Sequence, residues 1–333
     1  MFDIVQLASL GPDFDNRLAA RWRVLRAWEE GTGEGRTGNG RSGKGAAAPA
    51  DLAQRAAGAR VAVTTVRRGF QAGLFDQLPA LRAICSWGVG YETLDVAAAR
   101  ERGVCVSNTP GVLDDCVADL AWALLLAAAR RTGPGDRYAK GGHWRALGEF
   151  PLSTRVSGKR LGVLGLGRIG SAIARRGQGF DMDVRYHGRR PVPGAPYGYE
   201  ADLAALAQWA DFLVVACPGG PATRHLVDAT VLRALGPRGI LVNIARGSVV
   251  DEAALVAALS SGELGGAGLD VLEHEPAVPA ALRDMDQVAL MPHVGSATRE
   301  TRAAMADLVF DNAESFLEHG RLLTPVAETP QPR

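Results

Sequence analysis

Gly165-Leu166-Gly167-Arg168-Ile169-Gly170 constrains this chain more than any other stretch. The apolar run Leu161-Gly162-Val163-Leu164 leads into it, and residues 169–176 read as a helix beyond it. A glycine loop between a strand and a helix is the context in which GxGxxG cradles a dinucleotide. Gly165 permits the tight turn, Gly167 lets a pyrophosphate approach the backbone, and Gly170 lets the helix lie close to the strand. The helix N-terminus then turns its unpaired N–H groups toward the phosphates. Further strand-like runs stand at 183–186, 212–217, 240–244, 266–269 and 288–290, with helices between most of them. Six strands with the glycine loop after the first describe a doubly wound Rossmann domain.

The N-terminal third shows a second alternation. Residues 4–7, 60–66, 81–86 and 104–106 read as strands; 15–29, the surroundings of Leu74 and 94–102 read as helices. This predicts a separate parallel α/β domain. Residues 31–50 are rich in glycine and carry no large apolar side chain, so they read as a flexible surface insertion. They lack the Gly-Lys-Ser/Thr ending and the preceding apolar strand of a phosphate loop. Asn108-Thr109-Pro110-Gly111 marks the crossing between domains. The helix expected at 113–131, stopped by Gly133-Pro134, is apolar nearly all round, which predicts burial against another subunit. A last helix at 298–318 is expected to return to the first domain, with a fraying tail beyond Thr324. The expected division is therefore 1–106 plus 298–333 for one domain and 107–297 for the other.

At 333 residues, 47% of them hydrophobic, the chain can bury two cores. A formal net charge of +1 leaves no electrostatic case for nucleic acid or an acidic membrane. Cys85, Cys105, Cys116 and Cys217 show no metal or redox spacing, so no metal is expected and the thiols read as reduced. The longest apolar run, 120–129, is too short to span a bilayer, and the start carries Asp3 rather than a basic signal. A cytoplasmic protein is the expectation.

Three segments downstream of the glycine loop carry chemistry. Arg246 directly follows an apolar strand, Glu275 stands before Pro276 with Glu273 and His274 as nearby rivals, and His293 lies in Pro-His-Val-Gly-Ser. A cation can hold a substrate carboxylate, an imidazole can protonate a ketone oxygen, and a carboxylate can keep that imidazole charged. These are the parts required to reduce a 2-keto acid, and hydride transfer from a nicotinamide needs no metal. At the end of the second strand of the nucleotide domain, where an acid would bind the ribose 2′-OH, the chain reads Tyr186-His187-Gly188-Arg189-Arg190. With no carboxylate to repel a 2′-phosphate and two guanidiniums following, NADPH is expected over NADH.

The order of these motifs, from the glycine loop through Ala-Arg-Gly-Ser-Val-Val-Asp-Glu at 245–252 and Gly-Leu-Asp-Val at 268–271 to Glu-Pro at 275–276 and Pro-His-Val-Gly-Ser at 292–296, resembles the D-isomer-specific 2-hydroxyacid dehydrogenases. Within that family it is most similar to the glyoxylate/hydroxypyruvate reductase branch. The likeness runs from about residue 61 to about 317. It implies an α/β fold with two domains, a flavodoxin-like substrate domain and a Rossmann domain. It selects Glu275 as the partner of His293, because the motif places the acid directly before the proline. It implies cofactor contacts at Cys217, Pro218, Thr223, Ile244, Ala245, Asp270 (for the nicotinamide carboxamide), Gly295 and Ser296. Trp87-Gly88-Val89-Gly90 resembles the loop whose backbone N–H groups receive the substrate carboxylate. The segment 110–152 corresponds to the helix and arm that build a homodimer, with Trp144 the aromatic that approaches the partner's site. The rival expectations are a reductase of bulkier aryl or sugar 2-keto acids and, in a different class, a nucleotide-sensing co-regulator on the same fold.

Overall fold

The structure, a computed structural model, describes residues 2–29 and 51–329. The glycine-rich stretch at 31–50 lies outside the described residues. The chain divides into two compact units, residues 1–113 with 298–333, and residues 114–297.

The first unit holds a parallel sheet of β1 (Ile4–Gln6), β2 (Val24–Arg26), β3 (Val61–Thr65), β4 (Ala83–Trp87) and β5 (Cys105–Ser107) in the order β2-β1-β3-β4-β5. That is the flavodoxin order. Val5, Ala62, Ile84 and Val106 point into one apolar layer with Phe70, Leu74 and Leu78. The long helix Arg299–His319 packs on β3 and β4. The helix expected at 15–29 is corrected. A helix spans Pro12–Arg21 and then gives way to β2. Asp3 receives the N–H and the guanidinium of Arg23, which turns the chain and seats Val24 beside Ile4.

The expected fraying beyond Thr324 is also corrected, as far as Thr329. Asn312 accepts the N–H groups of Leu323 and Thr324. Pro325 then bridges Ser107 in antiparallel sense, Val326 N–H donates to Val106 O, and Val106 N–H donates to Thr329 Oγ1. The crossing between units comes seven residues later than 106/107. Asn108 Nδ2 donates to Val89 O at 2.7 Å and Thr109 N–H to Gly88 O at 2.9 Å, which ties 107–113 to the first unit.

The second unit is a seven-stranded parallel sheet: β6 (Arg160–Leu164), β7 (Asp183–His187), β8 (Gly198–Tyr199), β9 (Phe212–Val215), β10 (Ile240–Asn243), β11 (Gly266–Leu269) and β12 (Val288–Leu290). The order is β12-β11-β10-β9-β6-β7-β8, the Rossmann order with one strand more than expected. The addition is β8, two residues long and legible only through its pairing with β7.

The apolarity of the helix Asp114–Arg130 has its explanation inside this unit. Val117, Ala121, Leu124 and Leu125 are buried against β10 and β11. A Cβ on Gly268 would meet Leu124 Cβ at 2.9 Å, so the glycine in β11 is what admits the helix. Trp122 stacks on Phe180 at 4.5 Å and donates Nε1–H to Ile173 O. The inference from apolarity to a subunit interface therefore does not hold for this face. Gly133-Pro134 is not a stop either. The helix breaks at Arg131, left-handed at φ 53°, and a second helix, Thr132–Lys140, carries both residues in its first turn, where proline's missing N–H costs nothing. Beyond it Trp144, Leu147 and Leu152 are exposed at 64%, 89% and 98%.

Candidate active site

The carboxyl ends of parallel strands are where ligands meet such sheets, and every candidate in the second unit lies there. The glycine loop joins β6 to the helix Arg168–Gln178. Gly165 has φ 96°, a left-handed backbone reserved in practice for glycine, and a Cβ there would press on the Cys217 backbone at 2.7 Å. A Cβ on Gly170 would collide with Gly165 O, whereas one on Gly167 meets nothing. The loop is thus closed toward the protein and open at the residue that begins the helix, which fits a pyrophosphate. Gly170→Ala is expected to weaken dinucleotide affinity about tenfold or more, since an overpacked site must shift by steps costing about 1–3 kcal/mol. Fluorescence titration of the reduced cofactor checks this; unchanged affinity would deny that the loop holds the phosphates. Leu166 is buried beneath the loop, and the side chain of Arg168 is paired with Asp114 at 3.0 Å, so what this residue offers a ligand is its backbone.

At the end of β7, His187 Nδ1 lies 3.0 Å from Glu200 O. Tyr199 Oη donates to Gly188 O and Val192 N–H donates to Tyr186 Oη, so the turn after β7 is held from both sides. Arg189 and Arg190 project from it, exposed, with no ion pair among the described residues. Cys217 stands two residues beyond β9, and burial pushes its thiol up to about 11. Thr223 Oγ1 donates to Pro218 O at 2.8 Å and shapes the following turn.

Arg246 follows β10 through an Asx turn. Buried Asn243 accepts Ala245 N–H on Oδ1 and donates Nδ2–H to Arg246 O, both at 3.0 Å. Arg246 Nη1 donates to Ala245 O, and a Cβ on Gly219 would meet Arg246 Cγ at 2.6 Å. The stem of the arginine therefore lies flat on a glycine. Asn243 escaped sequence reading, although an Asn at a strand end just before Ala-Arg-Gly is an Asx-turn signal.

β12 leads to His293, whose Nδ1 stands 2.8 Å from Glu275 Oε2. Opposite a carboxylate, Nδ1 carries hydrogen and donates. Glu275 Oε1 accepts Leu272 N–H at 3.3 Å. His293 is left-handed, φ 55°, a backbone that a non-glycine residue keeps only when its surroundings hold it. The holder is Asp270. Its two carboxylate oxygens accept the N–H groups of Val294 (2.7 Å) and Gly295 (2.9 Å), and its carbonyl accepts that of His293 (2.8 Å). Asp270 is 2% exposed. The resemblance implied a contact with the nicotinamide for this residue; among the described residues its carboxylate clamps the histidine loop.

Glu273 is engaged elsewhere. Its Oε1 takes His225 Nε2 and Arg224 Nη2, both at 2.9 Å. Burial alone would raise its pKa, but the His225 hydrogen bond and the neighbouring charges outweigh that and lower it. Arg246, Glu275 and His293 follow three adjacent strands, β10, β11 and β12. In the first unit, the Trp87–Gly90 loop follows β4, with Gly88 N–H donating to Thr109 Oγ1 at 3.1 Å.

Comparison with known proteins identifies the family. Residues 122–295 match the family model described as D-isomer specific 2-hydroxyacid dehydrogenase, NAD binding domain. The chain is 48% identical to a hydroxyphenylpyruvate reductase of Plectranthus scutellarioides over 83% of its own length and 88% of that protein. It is 48% identical to a glyoxylate/hydroxypyruvate reductase A of Arabidopsis thaliana, covering 80% and 85%. Among solved structures, the NADPH-dependent glyoxylate/hydroxypyruvate reductase of Sinorhizobium meliloti, in complex with NADP and malonate, superposes with a TM-score of 0.87 at 40% identity, covering 99% of this chain and 98% of that one. A histidine–glutamate pair and an arginine at the mouth of a Rossmann sheet, joined to matches that span most of both chains, lead to one assignment: the chain belongs to the D-isomer specific 2-hydroxyacid dehydrogenase family, oxidoreductases built on a nicotinamide-binding domain.

Proposed function

We propose that the chain reduces a small 2-keto acid, glyoxylate or hydroxypyruvate, to the D-2-hydroxy acid at the expense of NADPH. The observation that carries this reading is the His293 Nδ1–Glu275 Oε2 pair at 2.8 Å beside the strand that presents Arg246. When bound, the reduced nicotinamide supplies the hydride. Glu275 holds Nδ1–H, which leaves Nε2 of His293 to deliver the proton to the ketone oxygen. The planar fork of Arg246 receives the substrate carboxylate. Asn243 and Gly219 hold the arginine; Asp270 holds the histidine loop.

The choice of NADPH rests on the end of β7, where His187 replaces an acid and the two unpaired arginines stand in solvent. A charge-assisted hydrogen bond contributes about 1.5–3 kcal/mol, so one engaged arginine favours the 2′-phosphate by roughly tenfold or more. Steady-state turnover of glyoxylate and hydroxypyruvate with each cofactor is the test. A kcat/KM ratio of at least about ten for NADPH over NADH is expected, falling toward unity in R189A/R190A. Preference for NADH would overturn the cofactor assignment, and no turnover on either acid would overturn the substrate assignment.

The 48% identity to a hydroxyphenylpyruvate reductase favours one second reading, a reductase of bulkier aryl 2-keto acids on the same machinery. A homodimer is part of the proposal, supported by the exposed Trp144, Leu147 and Leu152. A reducing compartment is supported by the four cysteines, none of which forms a disulfide among the described residues. No helix among the described residues is long and apolar enough to cross a membrane.

A further inference from the structure

The second unit carries a second histidine–glutamate pair that the chemistry above does not use. Among the described residues four non-glycine positions have a left-handed backbone, and two of them are histidines bonded to glutamates of one turn: His293 (φ 55°) to Glu275, and His225 (φ 50°) to Glu273. Such a backbone persists only where its surroundings hold it. His225 is held at both ends. Its N–H donates to Ser248 O at 2.8 Å, and its Nε2, facing a carboxylate and therefore carrying hydrogen, donates to Glu273 Oε1 at 2.9 Å. Val227 pairs with Val250 just beyond, so residues 225–227 run alongside 248–250. Arg224 reaches the same oxygen of Glu273 but is 60% exposed, where water screens the pair, so the half-buried histidine is the firmer partner.

What Glu273 holds is the turn that carries Glu275. The two oxygens of Glu275 are divided: Oε2 faces His293 Nδ1 at 2.8 Å, and Oε1 accepts Leu272 N–H at 3.3 Å. The orientation of that carboxylate therefore follows the Leu272 backbone. The next residue fixes it. Glu273 N–H donates at 2.9 Å to Oε2 of Glu252, in the first turn of the helix Glu252–Ser261, while the Glu273 side chain ends on His225. On another side lies Gly247, where a Cβ would fall 2.0 Å from Leu272 C and 2.3 Å from Glu273 N, so the residue after Arg246 packs backbone to backbone on this turn. Asp251 Oδ2 stands 3.9 Å from His225 Nδ1, so the charged groups around the pair are Arg224, Asp251 and Glu252. Glu273 thus sits where three loops of one sheet meet: the loop after β9, the loop of Arg246 and the loop of Glu275.

We propose that Glu273 and His225 are positioning residues for proton delivery: the pair locks the Leu272–Glu275 turn, so that Glu275 meets His293 in one orientation. This rests on the proposed function for the roles of His293 and Glu275, and deepens it by naming what holds them.

Glu273→Ala is expected to lower kcat by about 10–10²-fold, the scale of a displaced reacting group, with KM for NADPH within about threefold. The alkaline limb of kcat/KM for reduction, which reports the proton on His293, should move to lower pH by about one unit, because a loosened carboxylate stabilises the imidazolium less. Glu273→Gln separates positioning from charge. It loses the charge but keeps an acceptor for His225 Nε2–H, so it should return the limb to its wild-type place and kcat to within about fivefold. His225→Asn, shorter but tolerant of the left-handed backbone, should move the limb as Glu273→Ala does, and carries the test alone if Glu273→Ala does not fold. An unmoved limb in His225→Asn and in any folded Glu273→Ala overturns the proposal even where Tm falls, since a purely structural role changes stability and not the profile. A limb that moves as far in Glu273→Gln as in Glu273→Ala would show an effect of charge and overturn it too. If wild type turns over no keto acid, the proposed function fails, and the pair is read separately by NMR titration of ring-labelled histidine, assigned with His293→Asn. A His293 midpoint lower by about one unit in His225→Asn sustains the pair; an unchanged midpoint ends it.

Discussion

His293→Ala is expected to lower kcat by about 10²–10⁴-fold, the range for loss of a positioned general acid, while the affinity for NADPH stays within a few fold. In the proposed mechanism the imidazole delivers the proton from Nε2, and Glu275 acts by holding Nδ1, which lies 2.8 Å from its Oε2. The glycine loop rests on other residues, with Gly165 against the Cys217 backbone and its N–H donating to His187 O. The left-handed backbone at His293 complicates alanine alone, since a Cβ there without the histidine's contacts is strained. His293→Asn tolerates that conformation better and should lose turnover to a similar degree. Steady-state kinetics with a cofactor titration distinguish the cases. Near wild-type turnover in both variants would end the mechanism; loss of cofactor binding along with turnover would reassign the histidine to folding of its loop.

Arg246→Gln is expected to lower kcat/KM for the keto acid by about 10²–10⁴-fold. Two charge-assisted bonds from one planar fork, each contributing about 1.5–3 kcal/mol, would be lost together. Arg246→Lys should recover only a small part, because an ammonium is a point charge and cannot reproduce the fork. The structure sharpens this expectation. The stem of the arginine lies on Gly219 and its Nη1 is anchored on Ala245 O, so the guanidinium is held in one orientation before substrate arrives. A shorter or more mobile side chain forfeits that orientation as well as the bonds. Separate kcat and KM values for glyoxylate across the three proteins check it; a KM unchanged within error in Arg246→Gln would move the substrate carboxylate to another donor.

Both residues were legible in the sequence because each stands in a short run whose neighbours have mechanical roles. Ala245 and Gly247 flank an arginine at a strand end; Gly295 follows the histidine where Asp270 must reach the backbone. The flavodoxin-like and Rossmann alternations were legible for the same reason, since buried parallel strands are continuous apolar runs. What escaped was set by pairing rather than by local pattern. Val24–Arg26 is three residues after a helix and becomes a strand only beside Ile4. Gly198–Tyr199 becomes one only beside β7. The apolar helix 114–130 read as a subunit contact because a single helix does not reveal that Gly268 leaves room for it on its own sheet. Asp270 could be placed near the cofactor from its motif, but its grip on residues 293–295 is a three-dimensional fact.

The strand of tail from Pro325 to Thr329 has a colloidal consequence. β5 is the last strand of an open sheet, and such an edge offers free N–H and C=O groups to any extended chain that meets it. Here Val106 already gives its carbonyl to Val326 and its N–H to Thr329, and Ser107 is bridged by Pro325, whose ring cannot donate to a newcomer. The molecule thus carries its own plug against edge-to-edge fibrillation, and a concentrated solution meets a closed margin on that side of the sheet.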